Sequence, residues 1–247
     1  MTEIQGEERL KVVAWALSYP FERPLGSYVF DGTDDIPLTA YLSGHKISYS
    51  ELISGREPVL AVGSNASPSQ LRRKFDSYGL SGEIPVIKAV LSGFDSVYSA
   101  HIAGYGSIPA TLVSSPGTEV ELFVTFLNEG QLYAMDISEG AARENGNYER
   151  IRLGGVRLVL DSGEVLDEAF SYQSRKGALV LDGQSVALVA IIATGRKFPA
   201  MTQMRIQEIV RDKFAPGERL DDFIWENIGE NGKAKRDKWN SWLKEGI

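Results

Sequence analysis

The sequence predicts an α+β protein: a small, partly closed β-barrel of mixed or antiparallel strands with helices flanking it. Three observations carry this. From residue 85 onward, short runs of β-branched and aromatic residues follow one another, separated by Gly, Pro, Asp and Ser turns. Residues 7–18 instead space apolar side chains at helical intervals, the pattern of an amphipathic helix, and 200–244 divides into helix candidates at Pro216-Gly217 and at Gly229 to Gly232. Before the strand-rich part, Pro58-Val59-Leu60-Ala61-Val62-Gly63-Ser64-Asn65-Ala66-Ser67-Pro68-Ser69-Gln70-Leu71 joins an apolar run to a helix start through three small residues. The expected organisation is an N-terminal helix and extension over 1–57, a barrel core over 58–195 and a C-terminal helical extension over 196–247.

In order along the chain, Leu10, Val13, Ala14 and Leu17 put a helix over 7–18, which Pro20 and Pro24 stop. Tyr28-Val29-Phe30 reads as a short strand among turn residues, and 49–53 as one helical turn. A strand over 59–62 precedes a helix in which Ser67 caps, Pro68 takes the first position and Gln70 completes a capping box. That helix continues over 71–78 with Arg72, Arg73 and Lys74 outward. Strands follow over 86–91, 97–103, 110–113 and 120–126, with turns at Gly93, at Gly104 to Gly106 and at Pro116-Gly117. In the last of them Val120, Leu122, Val124 and Phe126 share one face, the period-two pattern of a half-buried strand. Residues 129–138 form a helix on Leu132, Tyr133, Met135 and Asp136, and Gly140 ends it. Strands resume over 148–153, 156–160, 165–172, 178–181 and 186–193, and helices over 200–213, 220–227 and 233–244 complete the chain, the last docking through Trp239 and Trp242.

Composition narrows the function. The 247 residues are 43% hydrophobic and 24% charged, enough apolar side chain for one sizeable core. A formal net charge of −7 argues against non-specific nucleic-acid or anionic-membrane partners, so neither is expected. The absence of cysteine excludes disulfides, thiolate metal sites and cysteine nucleophiles, and the two histidines, His45 and His101, are too few and too isolated to hold a metal. The longest apolar run, 186–193, is far short of the ~20 residues that span a bilayer and reads as a buried strand. The first eight residues are acidic and polar where a secretory leader is basic and then apolar, so a cytoplasmic protein is expected.

Two places can carry chemistry. The turn Gly63-Ser64-Asn65 presents backbone N–H groups beside a helix start, a recipe for holding a carboxylate or oxyanion. Glu139 lies four residues after Met135 and seven after Leu132, which places its carboxylate on the core-facing stripe, partly desolvated, as a proton-transferring group requires.

The run Ala61-Val62-Gly63-Ser64-Asn65 and the helix that follows, with Gln70-Leu71-Arg72-Arg73, resemble the signature of the γ-glutamylcyclotransferase-like family. The segment from Gly106 through Ile108-Pro109-Ala110-Thr111 to Val120, and the run from Gln131 through Asp136 and Glu139-Gly140 to Tyr148, are similar to further pieces of that family in the same order. The resemblance covers residues 58–153. It implies cyclisation of a small-molecule γ-glutamyl amide or peptide to 5-oxoproline, with Glu139 moving the proton. It also implies substrate binding by Val62, Gly63, Ser64, Asn65, Ala66 and Tyr148, with no metal and no cofactor. The family usually has Tyr where this chain has Val62, which removes an aromatic wall or hydroxyl. The alternative is a non-catalytic small-molecule-binding or assembly protein that keeps the anion-holding turn. The two differ in Glu139, which an enzyme needs in a pocket within reach of a ligand held at Ser64. A serine-hydrolase reading, Ser64 with His101, lacks the Gly-x-Ser-x-Gly elbow.

Overall fold

The computed structural model describes residues 3–76, 78–79 and 82–247, with side chains from Gly6 onward. Met1 and Thr2 of the acidic N-terminus, and Ser77 of the helix predicted over 71–78, lie outside the described residues. Helix α1 (Glu3–Leu17) leads into strands β1 (Tyr28–Phe30) and β2 (Asp35–Pro37) and short helices α2 (Leu38–His45) and α3 (Tyr49–Ile53). Strand β3 (Glu57–Ala61) runs through a 3-10 turn (Ser64–Ala66) into α4 (Pro68–Asp76). Two long strands, β4 (Ile84–Tyr98) and β5 (Ala110–Leu127), precede α5 (Glu129–Glu139), β6 (Tyr148–Leu160) and β7 (Val165–Ser174). Helices α6 (Gln203–Phe214), α7 (Leu220–Glu226) and α8 (Lys233–Leu243) complete the chain.

Five strands close on themselves in the order β5-β3-β7-β6-β4, with β4 returning to β5. The β3–β7 pairing is parallel, Val59 opposite Phe170, and the others are antiparallel, so the barrel is mixed and its closure complete. Leu60, Ile87, Ala89, Leu122, Val124, Leu160 and Ala169 fill its interior. The alternate residues Val59, Ala61, Val86 and Phe123 point outward, beneath Leu71 and Phe75 of α4 and Ala134 and Met135 of α5. The strand predicted to be half-buried is therefore buried on both faces over Leu122–Leu127, because helices cover the outer one.

Several predicted turns are bulges. Gly93, at φ +83°, and residues 115–118 opposite it interrupt the β4–β5 register without ending either strand, so 86–91 and 97–98 are one strand and 110–113 and 120–126 another. The same holds for the irregularity after Gly154 in β6. The predicted strand 97–103 ends at Tyr98, and the one at 178–181 is reduced to Val180–Leu181. The run 186–193 is not a continuous strand: Ala187–Leu188 and Ala193–Thr194 pair separately, leaving Val189 and Ile192 50% and 58% exposed. Helix α2 was not foreseen; Pro37 enters it and Lys46, in the left-handed region, leaves it. The terminal helix docks through its tryptophans as expected, Trp239 stacking on Phe214. The capping box at Ser67 does not close, since Ser67 pairs with the Ser69 hydroxyl and Gln70 accepts from Arg73.

The N- and C-terminal parts grip one segment, 99–109. Ser107 donates to the Ala16 carbonyl of α1, Gln207 of α6 to the Gly106 carbonyl, and Asn240 of α8 accepts the Ile102 N–H at 2.7 Å. Another tie is the fork of Arg196 on Asp95, at 2.9 and 3.0 Å, with the carboxylate fully buried. Removing the guanidinium would strand that charge in the barrel wall, so Arg196→Ala should lower unfolding free energy by about 3–5 kcal/mol. A denaturant titration checks this, and a loss below about 1 kcal/mol would contradict it.

Candidate active site

The site lies at the barrel mouth where β3, β4 and β7 end and β5 and β6 begin. Val62, Gly63, Ser64, Asn65, Glu139 and Tyr148 all line one cavity there, of about 240 Å³. Ala66 does not; it is fully buried in the outer core, and its carbonyl accepts the Tyr28 hydroxyl.

Glu139 arrives as the last residue of α5. An Asn128 capping box starts that helix and Gly140, at φ +73°, ends it by donating to the Asp136 and Ile137 carbonyls. The carboxylate is 14% exposed. Its Oε1 accepts from Asn65 Nδ2 at 2.9 Å and is ion-paired with Lys74 Nζ, which in turn donates to Asn65 Oδ1 at 2.7 Å. Turn, α4 and α5 thus meet in a closed triangle of Asn65, Lys74 and Glu139. Among the described residues, Oε2 of Glu139 carries no hydrogen bond and is the oxygen left to meet a ligand.

Lys74 corrects the expectation that all three basic residues of α4 face outward. It is 7% exposed, because it follows Gln70 by four and Leu71 by three, both buried. Arg72 and Arg73 do face out. Asn65 also changes part: its side-chain amide is taken up by Lys74 and Glu139, so it positions the carboxylate.

Tyr19, from the loop after α1, was not foreseen. Its hydroxyl accepts the Ala110 N–H at 2.8 Å. It lies so close to Gly63 that a Cβ there would stand 2.0 Å from the phenol oxygen and 3.0 Å from the Ala110 Cβ. Gly63 is therefore required by space. Tyr19 brings a ring and a hydroxyl to the turn where Val62 lacks them, and Tyr105 stacks beside it. Burial pushes the Tyr19, Tyr105 and Tyr148 phenols well up from their ordinary value, so all three remain neutral. The Tyr148 proton is committed to the Ala110 carbonyl at 2.8 Å, which makes Tyr148 a wall of the cavity.

Gly63→Ala should displace the phenol and cost about 1–3 kcal/mol through overpacking. Unfolding of Gly63→Ala with and without Tyr19→Phe checks this: the second change should relieve part of the loss, and strictly additive losses would contradict the clash.

His101 is a structural residue: burial pushes it down to about 3, and its Nδ1 pairs with the Ser99 hydroxyl at 2.7 Å. It is no base for Ser64. Among the described residues no cluster of three or more His, Cys, Asp or Glu gathers to hold a metal, and no helix is long and apolar enough to cross a membrane.

No protein-family model matches the chain, and no curated protein matches it. Among solved structures it is similar to a gamma-glutamyl cyclotransferase, with 18% identity over 77% of this chain and 99% of that one, at a TM-score of 0.39. It is also similar to an uncharacterized protein from Homo sapiens, with 16% identity over 74% of this chain and 99% of that one (TM-score 0.40). YkqA from Bacillus subtilis aligns with 12% identity over 89% of this chain and 72% of that one (TM-score 0.38).

Proposed function

We propose that the protein cyclises a γ-glutamyl amide or peptide to 5-oxoproline, with Glu139 as the proton-transferring group. The observation that carries this reading is the Asn65–Lys74–Glu139 triangle, which holds a nearly buried carboxylate beside the Gly63–Asn65 turn in one cavity. A module that only bound carboxylates would gain nothing from a second carboxylate in the same pocket.

The chemistry needs little more. The substrate's own α-amine is tethered to the γ-carbonyl it attacks, and effective molarities for such reactions reach ~10⁵ M or more. Glu139 accepts a proton from the attacking amine as the new C–N bond forms. It returns that proton to the leaving nitrogen as the old C–N bond breaks, releasing an amine or amino acid. Backbone N–H groups of the Gly63–Asn65 turn hold the glutamyl α-carboxylate or the developing oxyanion. The Tyr19 hydroxyl accepts the Ala110 N–H and lines the same cavity, where its proton is directed to that anion. This is the part a tyrosine at position 62 would otherwise play.

The test is to assay 5-oxoproline released from a panel of γ-glutamyl amino acids and γ-glutamyl amines, with the parent and with Glu139→Gln. Product from the parent that disappears in the variant supports the reading. Free glutamate in place of 5-oxoproline would replace cyclisation by hydrolysis, and an equally active variant would remove Glu139 from the chemistry.

A further inference from the structure

Outside the triangle the cavity opens into a larger chamber of about 690 Å³, which shares Arg73, Lys74, Gly104, Ser138, Glu139 and Asn147 with the inner one. Its charge runs against that of the protein. On a chain of net charge −7, the chamber's outer wall carries Arg143, Lys176, Lys233, Arg236 and Lys244 against the single carboxylate of Asp237. Some of these cations are already engaged. Lys233 pairs with Asp237 at 2.7 Å, and Arg236 donates to the Asn227 and Gly229 carbonyls. Lys176, Lys244 and Arg143 take part in no ion pair among the described residues. Lys176 is half-buried, and burial together with the neighbouring Lys244 ammonium depresses its basicity. Two like charges held together in this way raise each other's energy, and an anion that comes between them relieves the repulsion.

Position gives the chamber its part in the reaction. Ser64 lines only the inner cavity, whereas Glu139 lines both. A γ-glutamyl amide with its glutamyl carboxylate at the turn and its scissile bond at Glu139 therefore extends its leaving group outward. We infer that the outer chamber is a leaving-group subsite for amines that themselves carry carboxylate or phosphate groups, held by Lys176 and Lys244, with Arg143 at the rim. This rests on the cyclisation reading and adds a substrate class to it: acidic γ-glutamyl amides. It also gives the C-terminal extension a chemical purpose, since α8 brings Lys244.

The experiment compares γ-glutamyl-glutamate, γ-glutamyl-O-phosphoethanolamine and the neutral γ-glutamyl-ethylamine, in turnover by the parent and in calorimetric binding to Glu139→Gln. The acidic amides should be preferred in kcat/KM and in affinity on the order of tenfold, with the preference shrinking as salt rises. It should vanish in Lys176→Gln/Lys244→Gln and return in Lys176→Arg/Lys244→Arg, with circular dichroism reporting that each variant is folded. The two acidic amides separate a carboxylate from a phosphate preference. If acidic and neutral amides react and bind alike, or the lysine variants keep the preference, the subsite is refuted while cyclisation stands. If no amide yields 5-oxoproline but γ-glutamyl-glutamate binds tighter than the neutral amide and loses that advantage in the glutamine pair, the anion subsite stands and the cyclisation reading falls.

Discussion

Glu139→Gln is expected to lower the rate of 5-oxoproline formation by ~10²–10⁴-fold, the usual worth of a positioned proton-transfer group. The amide oxygen of a glutamine can still accept from Asn65, but no atom of it takes a proton from an amine. Part of the effect would be structural, because the variant leaves the Lys74 ammonium buried without its counter-charge. A paired change separates the two. Lys74→Met together with Glu139→Gln removes both charges at once, and should recover most of the stability lost by either single variant while remaining inactive. Activity returning with stability in the double variant would mean that Glu139 only holds the site together.

Lys74→Met alone should be the most destabilising substitution at the site, by about 3–5 kcal/mol, because it leaves a carboxylate that is 14% exposed with Asn65 as its remaining donor. A solvent-facing lysine, the placement read from the sequence, would contribute about 1 kcal/mol or less through an ion pair. Denaturant unfolding of the parent and the variant distinguishes these values directly. Cyclisation should fall as well, since Asn65 and Lys74 together fix the orientation of Oε1, and with it the direction in which Oε2 faces the substrate.

The features legible in the sequence are those set by local rules. The α5 carboxylate could be placed because the periodicity of α5 and its glycine cap both act within one or two turns. The barrel was legible as a class for a similar reason, since strand residues keep their period-two pattern whatever they pair with. The strand lengths were not, because a glycine at positive φ inside a bulge and one inside a hairpin turn look alike until the partner strand is known, as Gly93 demonstrates. Lys74 stayed hidden behind the default that charges face water, although its spacing from Gln70 and Leu71 put it on the inward stripe. Tyr19 had no local signal at all. It reaches Gly63 and Ala110 across the fold, through contacts that no nearby residue pattern encodes.

The parallel seam of the barrel has a kinetic consequence. Val59 and Leu60 of β3 meet Phe170 and Ser171 of β7, residues roughly 110 positions apart in the chain, whereas β4–β5 and β6–β7 are joined by far shorter connections. Closing so long a loop costs chain entropy before any contact returns it, so the seam is the natural last step of folding. The strand it seats leads directly into the 63–66 turn. Catalytic competence should therefore emerge with the slowest refolding phase, after most of the secondary structure has already formed.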